Sequence, residues 1–584
     1  MPPELLSGNE AAARGAWEAG ASVGVGYPGT PSTQALEAFA RMEGVCAEWA
    51  PNEKVALEVA AGASMGGARA FVTMKHVGVN VAADPLFTLA YTGVGAGLVL
   101  FVADDPGMHS SQNEQDSRNW GPFARVPVLE PADSAEALEF TKAAFELSER
   151  FDIPVIVRST TRLSHSKGVV EVAGERVEQP TATYRKDVCK WVMMPAMARG
   201  RRASLDERVH RIAAYAEESQ LNRIEMRDVT VGVVTSGVCY QYVREALPDV
   251  SIFKVGLSFP LPENALREFA RDVERVVVIE EADTYLVSAL RALGLDPEPI
   301  GLPAAGELSP GTIARAMGGE SPQTRDAVSG LPPRPPLMCP GCPHRGAYNA
   351  LRKVKAVVTG DIGCYTLGAL APLSSMDSCV CMGAGIGMAH GMRLAGQGGD
   401  RPIVAVIGDS TFAHSGVTGL IDLAYNGSDA LVCILDNRIT AMTGHQQNPV
   451  SGMTLQGRLA TEIDLEALCR SIGVRRVRTL DPHDLAATED AVREEVAAGE
   501  MSVIIFRAPC ALLIEEKEQP FAVDEESCTA CGLCIRLGCP AISKVEGGKA
   551  RIDTTICVGC GDCVQVCRFS AIELTGPACD IGGV

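Results

Sequence analysis

The chain has 584 residues, 46% hydrophobic and 21% charged, with 59 glycines and a net charge of −20. At roughly 150 residues per domain this is about four domains of globular composition, not a disordered, collagen-like or coiled-coil chain. The acidic balance excludes a nonspecific nucleic-acid binder or a binder of anionic membranes. The start MPPELLSGNEAAARG lacks the basic-then-apolar pattern of a secretory signal, and the longest apolar stretch, residues 91–103, is glycine-broken and too short for a bilayer. The expectation is a cytoplasmic protein with no nucleic-acid and no membrane partner.

Helix and strand patterns alternate from residue 7 to 163. Residues 9–19 read as a helix and 22–26 as a short strand ending in the turn YPGTPST. An alanine-rich helix at 54–66 precedes a strand at 70–74. GLVLFVA (97–103) and PVIVR (154–158) are continuous apolar runs, as buried parallel strands should be. Residues 1–165 thus read as a doubly wound α/β domain. Residues 166–228 are charged, include RGRRASLDERVHR, and read as a linker with solvated helices. A smaller α/β unit at 229–330 has strands VTVGVVTSG and RVVVIEEAD. Pro332, Pro333, Pro335 and Pro336 then predict a stiff linker. A third α/β domain at 331–515 carries the strands AVVTGDIG, PIVAVIGDS and ALVCILDN, and cysteine dominates the tail at 520–584.

Twenty cysteines in a cytoplasmic chain argue against disulfides, and eight of them fall between Cys528 and Cys567. The first motif is Cys528-x2-Cys531-x2-Cys534-x4-Cys539-Pro540; the second is Cys557-x2-Cys560-x2-Cys563-x3-Cys567. In such doubled patterns the fourth cysteine ligates the other cluster. That assigns Cys528, Cys531, Cys534 and Cys567 to one 4Fe–4S cluster, and Cys557, Cys560, Cys563 and Cys539 to a second. The first motif has one extra residue before Cys539, and Arg568 stands where proline usually follows the second. The alternative is a pair of zinc ribbons, whose ligand pattern is seldom three-plus-one. The tail reads as a ferredoxin-like α+β domain whose two clusters form an electron wire.

Gly408, Asp409 and Ser410 close the apolar strand PIVAVI, and about one strand–helix unit later Asp436-Asn437 closes ALVCIL. Acid and amide oxygens at neighbouring strand ends can converge on a hard cation at the carboxyl edge of a parallel sheet. The pair resembles the diphosphate–magnesium motif of thiamine diphosphate enzymes. The resemblance implies Mg²⁺ held by Asp409, Asn437 and a backbone carbonyl near Ile439. Ser410 and Asp436 depart from the motif's usual glycine and asparagine. A lone GDS would be an ordinary strand-to-helix turn. The glycine-rich MGAGIGMAHG (382–391) reads as close helix packing beside the cofactor.

Thiamine enzymes also need a second α/β domain for the aminopyrimidine ring, with a carboxylate at its N1′. The turn YPGTPST, with Pro28 and Thr30, resembles a turn of 2-oxoacid:ferredoxin oxidoreductases, and Asn52-Glu53-Lys54 resembles the start of their next helix. The resemblance implies Glu53 as the activating carboxylate. Read alone, Glu53 is a helix-start glutamate favoured by the dipole, and Glu58 is the second candidate. The polar loop 104–118 follows a buried strand and resembles the family's substrate-side loop. His109 and Arg118 are expected to contact a substrate carboxylate, and His76 to serve as an acid near the thiazolium.

The domain order, with MKHVGVNVAADP, GDIGCYTLG and CPGCPHR, resembles the large (α) subunits of indolepyruvate:ferredoxin oxidoreductases over nearly the whole chain. The fold so implied is multidomain α/β: two thiamine diphosphate-binding parallel-sheet domains, a smaller α/β domain between them, and the ferredoxin-like tail. The activity implied is oxidative decarboxylation of indole-3-pyruvate, phenylpyruvate and 4-hydroxyphenylpyruvate with coenzyme A, giving arylacetyl-CoA and CO2, with electrons passing to ferredoxin. A smaller β subunit is implied, in an α2β2 assembly, and no separate CoA signature stands in this chain. Relatives with a cluster beside the thiamine imply a third 4Fe–4S cluster on Cys339, Cys342, Cys364 and Cys510. The alternative there is a zinc or redox CxxC beside two unrelated cysteines. Cys46, Cys189, Cys239, Cys379, Cys381, Cys433, Cys469 and Cys579 read as core or incidental. The alternative activities are oxidation of branched-chain or other 2-oxoacids, and a nonoxidative thiamine-dependent decarboxylation.

Overall fold

Seven short apolar runs among the first 260 residues assemble one sheet in this computed structural model. The structure describes residues 2–178, 184–300, 306–319, 329–331, 335–399 and 401–575; Pro332, Pro333 and Cys579 lie outside them. The chain forms two units, residues 1–328 and 329–584.

In the first unit the seven strands lie in the order Leu257–Phe259, Val128–Leu129, Val155–Thr160, Leu98–Asp104, Ala70–Lys75, Val23–Gly26 and Cys46–Trp49. Neighbours are parallel except Leu257–Phe259, which runs antiparallel to Val128–Leu129. Every residue of the three middle strands is buried, because crossover helices cover both faces. Helices Gly8–Glu18 and Ser134–Phe151 pack tightly: a Cβ on Gly15 would lie 2.3 Å from the Leu138 carbonyl oxygen. Ser7 and Glu10 close a capping box at the start of the former.

Residues 166–228 are not simply a linker with solvated helices. Strand Lys167–Val170 pairs with Glu4–Ser7, and Arg223–Glu225 joins the unit's second sheet. Helix Pro195–Glu218 buries Leu205, Arg208, Ile212 and Ala216. Its arginines have a structural use: Arg208 donates to the Ala90 and Tyr91 carbonyls, and Arg201 to those of Tyr91 and Thr92. These are end carbonyls of helix Ala83–Thr92, where orphan acceptors and the dipole both favour a cation. The second sheet runs Glu298–Pro299, Val276–Ile279, Asp228–Ser236, Val250–Val255 and Arg223–Glu225, all parallel but the last.

The second unit holds a five-stranded parallel sheet in the order Val357–Thr359, Ile403–Gly408, Leu431–Asp436, Ser502–Arg507 and Arg476–Leu480. Residues of helices His344–Lys353 and Leu485–Ala498 fill the core on one face, and those of Ala384–Leu394, Val417–Tyr425 and Leu465–Ile472 the other. The tail adds two antiparallel ribbons, Phe521–Val523 with Ile572–Leu574 and Ile542–Lys544 with Ala550–Ile552. Among the described residues no helix is long and apolar enough to cross a membrane.

Candidate active site

Four segments of the first unit meet where its parallel strands end, the edge at which such sheets bind ligands. They are the turn 27–33, the start of helix Glu53–Met65, the start of helix His76–Val81, and the loop 104–118. Asn52 caps the first helix by accepting from the Val55 amide at 2.9 Å, and Glu53 is buried just inside it. A Cβ on Gly78 would sit 2.6 Å from Glu53 Oε1, so the second helix start lies directly against the carboxyl group. Pro28 is buried and Thr30 half-buried; the Thr30 carbonyl accepts from Ser110 Oγ at 3.3 Å. Lys75 Nζ donates to the Ser110 carbonyl at 2.6 Å, and burial lowers its pKa to about 8. His76 is fully buried, which lowers its pKa; Nε2 lies 3.2 Å from the Asn113 carbonyl oxygen, and Nδ1 has no hydrogen-bond partner among the described residues.

The two expected substrate contacts differ. His109 is largely exposed, with Nε2 3.3 Å from Glu307, which also accepts from Arg162. Arg118 is not available to a substrate. It is 1% exposed, and its donors go to Asp116, Glu280, Ser236 and the Glu281 and Asp283 carbonyls. It lies over the Tyr285 ring, 5.1 Å from the centroid. Asp116 and Glu280 come from opposite sides of the junction between the two sheets, so Arg118 is a clasp. Arg158 continues the network to Asp104 at 2.6 Å and Glu130 at 2.5 Å.

In the second unit the pairing of Gly408 with Leu435 sets Asp409 and Asp436 at neighbouring strand ends. Asp409 is buried; burial first, then the charge of Asp436, pushes its carboxyl up to about 7. Asn448 donates to it at 3.3 Å, and Thr440 Oγ1 donates to Ser410 Oγ at 2.9 Å. Asn437 is buried beside them, its Oδ1 3.5 Å from the Ile439 amide. Asp436 accepts from Arg507 Nε at 2.7 Å. A buried acid and a buried amide at neighbouring strand ends are donors suited to a hard cation. From Asp409 the chain runs through a π-helical stretch, Phe412–Gly416, into helix Val417–Tyr425; such bulges gather at functional sites.

Asp361 is a further buried acid at this sheet edge, which the sequence reading passed over. It accepts from the Ile362 and Gly383 amides at 2.7 and 2.9 Å and from Gly385 at 3.4 Å, so it caps the glycine-rich helix start; burial raises it to about 6. Its signal was available, because it ends the strand AVVT as Asp409 ends PIVAVI. Asn448 had none, lying in a loop without a pattern.

The eight tail cysteines line two pockets in the crossed arrangement. Cys528, Cys531, Cys534 and Cys567 line one pocket, with Val523, Ala550 and Ile572 among the apolar walls. Cys539, Cys557, Cys560 and Cys563 line the other with Leu537, Ile542 and Ile552. Pro340 and Gly341 line the second pocket too. Gly341 has φ +68°, and a Cβ there would strike Val558 at 2.3 Å and approach Cys560 at 3.7 Å. Cys339 and Cys342 flank that turn, the amide of one donating to the carbonyl of the other at 3.1 Å. Cys364 and Cys510 are near enough that ionised Cys339 and Cys510 raise Cys364, and Cys339 raises Cys510, each behind burial itself. Arg345, 1% exposed, ties the turn to the tail by donating to the Met338, Cys339 and Gly538 carbonyls.

Comparison with known proteins agrees with this layout. Residues 14–227 match the family described as pyruvate flavodoxin/ferredoxin oxidoreductase, thiamine diP-binding; 361–506 match the thiamine pyrophosphate enzyme C-terminal TPP-binding domain; 550–573 match the 4Fe-4S binding domain. The indolepyruvate oxidoreductase subunit IorA of Archaeoglobus fulgidus is 40% identical over 611 residues, covering 97% of either chain. That of Thermococcus kodakarensis is 41% identical over 627 residues, covering 97% of this chain and 96% of its own. Among solved structures, the 2-oxoglutarate:ferredoxin oxidoreductase of Magnetococcus marinus aligns over 55% of this chain and 65% of its own, at 17% identity and a TM-score of 0.48. With thiamine-binding domains in both units, a 4Fe–4S domain at the tail and end-to-end identity near 40%, the chain belongs to the IorA family of indolepyruvate oxidoreductases, thiamine diphosphate-dependent enzymes of more than one subunit.

Proposed function

We propose that this chain is the α subunit of an oxidoreductase that converts aryl pyruvates and coenzyme A to arylacetyl-CoA and CO2, passing the electrons to ferredoxin. The observation that carries the oxidative reading is the pair of crossed cysteine pockets, one of them walled by the turn that bears Cys339 and Cys342. A nonoxidative decarboxylase needs no such exit. The relatives named for indolepyruvate favour an aryl substrate over a branched-chain one.

Thiamine diphosphate, when bound, supplies the electron sink for decarboxylation. Glu53, with its carboxyl held buried at a helix start, is the group that pairs with the aminopyrimidine ring and holds its proton. Pro28 and Thr30 shape the turn beside it. Asp409, Asn437 and the Ile439 carbonyl would hold Mg²⁺, with Gly408 and Ser410 as the turn beside the diphosphate; the Tyr365 ring packs where a Cβ on Gly408 would stand. His76 is buried with its Nε2–H on the Asn113 carbonyl, so its free Nδ1 accepts a proton first and serves as the acid of this edge only after that. His109 lies in the loop that screens the substrate. The cysteine sets hold two 4Fe–4S clusters, with a third on Cys339, Cys342, Cys364 and Cys510. A smaller β subunit, in an α2β2 assembly, completes the CoA site.

The test is anaerobic. The enzyme with its co-purifying partner is loaded with thiamine diphosphate and Mg²⁺, then given indole-3-pyruvate with and without CoA, while the visible absorbance of the clusters is followed. Bleaching with arylacetyl-CoA formation is expected. Release of CO2 and an aldehyde with unchanged absorbance rejects the oxidative reading. Cys510→Ala should lower iron by about four atoms per chain; an unchanged iron count removes the third cluster.

A further inference from the structure

The glycines of this protein divide by what stands against them. At Gly15 and Gly256 a Cβ would strike a backbone carbonyl, Leu138 at 2.3 Å and Leu221 at 1.9 Å, so glycine lets two chain segments touch. Gly78 is different. It is buried in helix His76–Val81, at an ordinary helical φ that any residue can adopt. The three atoms nearest its would-be Cβ all belong to one side chain: Glu53 Oε1 at 2.6 Å, Cγ at 2.7 Å and Cδ at 2.9 Å. Neither backbone strain nor backbone packing requires glycine there. What requires it is the space the Glu53 carboxyl arm fills.

We propose that Gly78 is a positioning residue that fixes where the Glu53 carboxylate points. The inference rests on reading Glu53 as the carboxylate for the aminopyrimidine ring. A methyl group at residue 78 meets Glu53 from Cγ outward and no backbone atom among its three nearest, so a turn about χ1 that swings the whole arm aside can absorb it. Alanine is also the better helix former. Gly78→Ala should therefore leave the protein folded and misdirect its carboxylate. A misplacement of about 1 Å can cost about 10²-fold in rate.

The experiment uses the anaerobically purified holoenzyme and three readouts: melting temperature, the dissociation constant for thiamine diphosphate, and hydrogen–deuterium exchange at C2 of the bound cofactor. Gly78→Ala should melt at or above the wild-type temperature, bind the cofactor within about tenfold of wild type, and lose about 10²-fold in C2 exchange. Glu53→Asp, which shortens the arm, should cost less in the Gly78→Ala background than alone, because the shorter arm avoids the methyl. Lower melting with lost binding, or independent effects of the two substitutions, would assign Gly78 to folding and overturn the inference. Normal exchange in Gly78→Ala with lost exchange in Glu53→Gln would sink the inference alone. Full exchange in Glu53→Gln would remove Glu53 itself, and the inference with it.

Discussion

Asp116 and Asp409 are both buried acids at sheet edges, yet their carboxyls are displaced in opposite directions. Burial pushes Asp116 up, but Arg118 and Arg158 overcome it and hold the group below its usual value. Burial pushes Asp409 up to about 7, and its strongest charged neighbour, Asp436, adds to the shift. An acid whose counter-charge is built into the chain is a clasp; an acid raised in this way is one that a cation would stabilise. What separates the two is the neighbour's charge: Asp116 faces two arginines of its own chain, whereas Asp409 faces a second acid.

The largest effect is expected at Asp409. Asp409→Ala should weaken Mg²⁺-dependent cofactor binding by at least about 10²-fold, measured by calorimetry, with no loss of melting temperature in the unloaded protein. A lower melting temperature with intact binding would make Asp409 a clasp as well. Arg118→Met should do the reverse, costing about 3–5 kcal/mol of stability because Asp116 and Glu280 lose their partner. A raised KM in a protein of normal stability would return Arg118 to the substrate site.

Glu281 is a graded case. Burial raises its carboxyl from the ordinary 4.5 to about 7, so the folded state keeps a proton that the unfolded state has lost. Stability from this group is full below about pH 4.5 and declines as pH rises towards 7. Glu281→Gln should therefore raise stability at pH 8 by about 1–3 kcal/mol and change little at pH 4.5, read from paired melting curves. His109→Ala should matter least, about 0–1 kcal/mol, since its ring is largely exposed and Glu307 keeps Arg162 as a partner.

The legible parts of this molecule are those written in local spacing. Cys528 to Cys534 and Cys557 to Cys563 repeat the same short interval, and Asp361, Asp409 and Asn437 each follow an apolar strand. A few adjacent residues suffice to carry such signals. Arg118 failed because its partners Glu280 and Glu281 lie more than 160 positions away, and a loop arginine looks the same whether it meets solvent or buried acids. Arg201 and Arg208 misled composition for a related reason. Their long apolar stems and terminal donors reach the end of a neighbouring helix, a use that charge counting reads as solvation. The Gly78–Glu53 contact joins two helix starts 25 positions apart and leaves no trace in either motif.

Strand Leu257–Phe259 has a consequence for how the gene can be cut. It lies beyond the start of the second sheet but completes the rim of the first, antiparallel to Val128–Leu129. A fragment ended at residue 228 would bare the amides and carbonyls of that rim, an invitation to sheet-to-sheet aggregation. The first two α/β modules are thus heritable only together, and a recombination that trades one for a homologue's must carry the crossing strand with it.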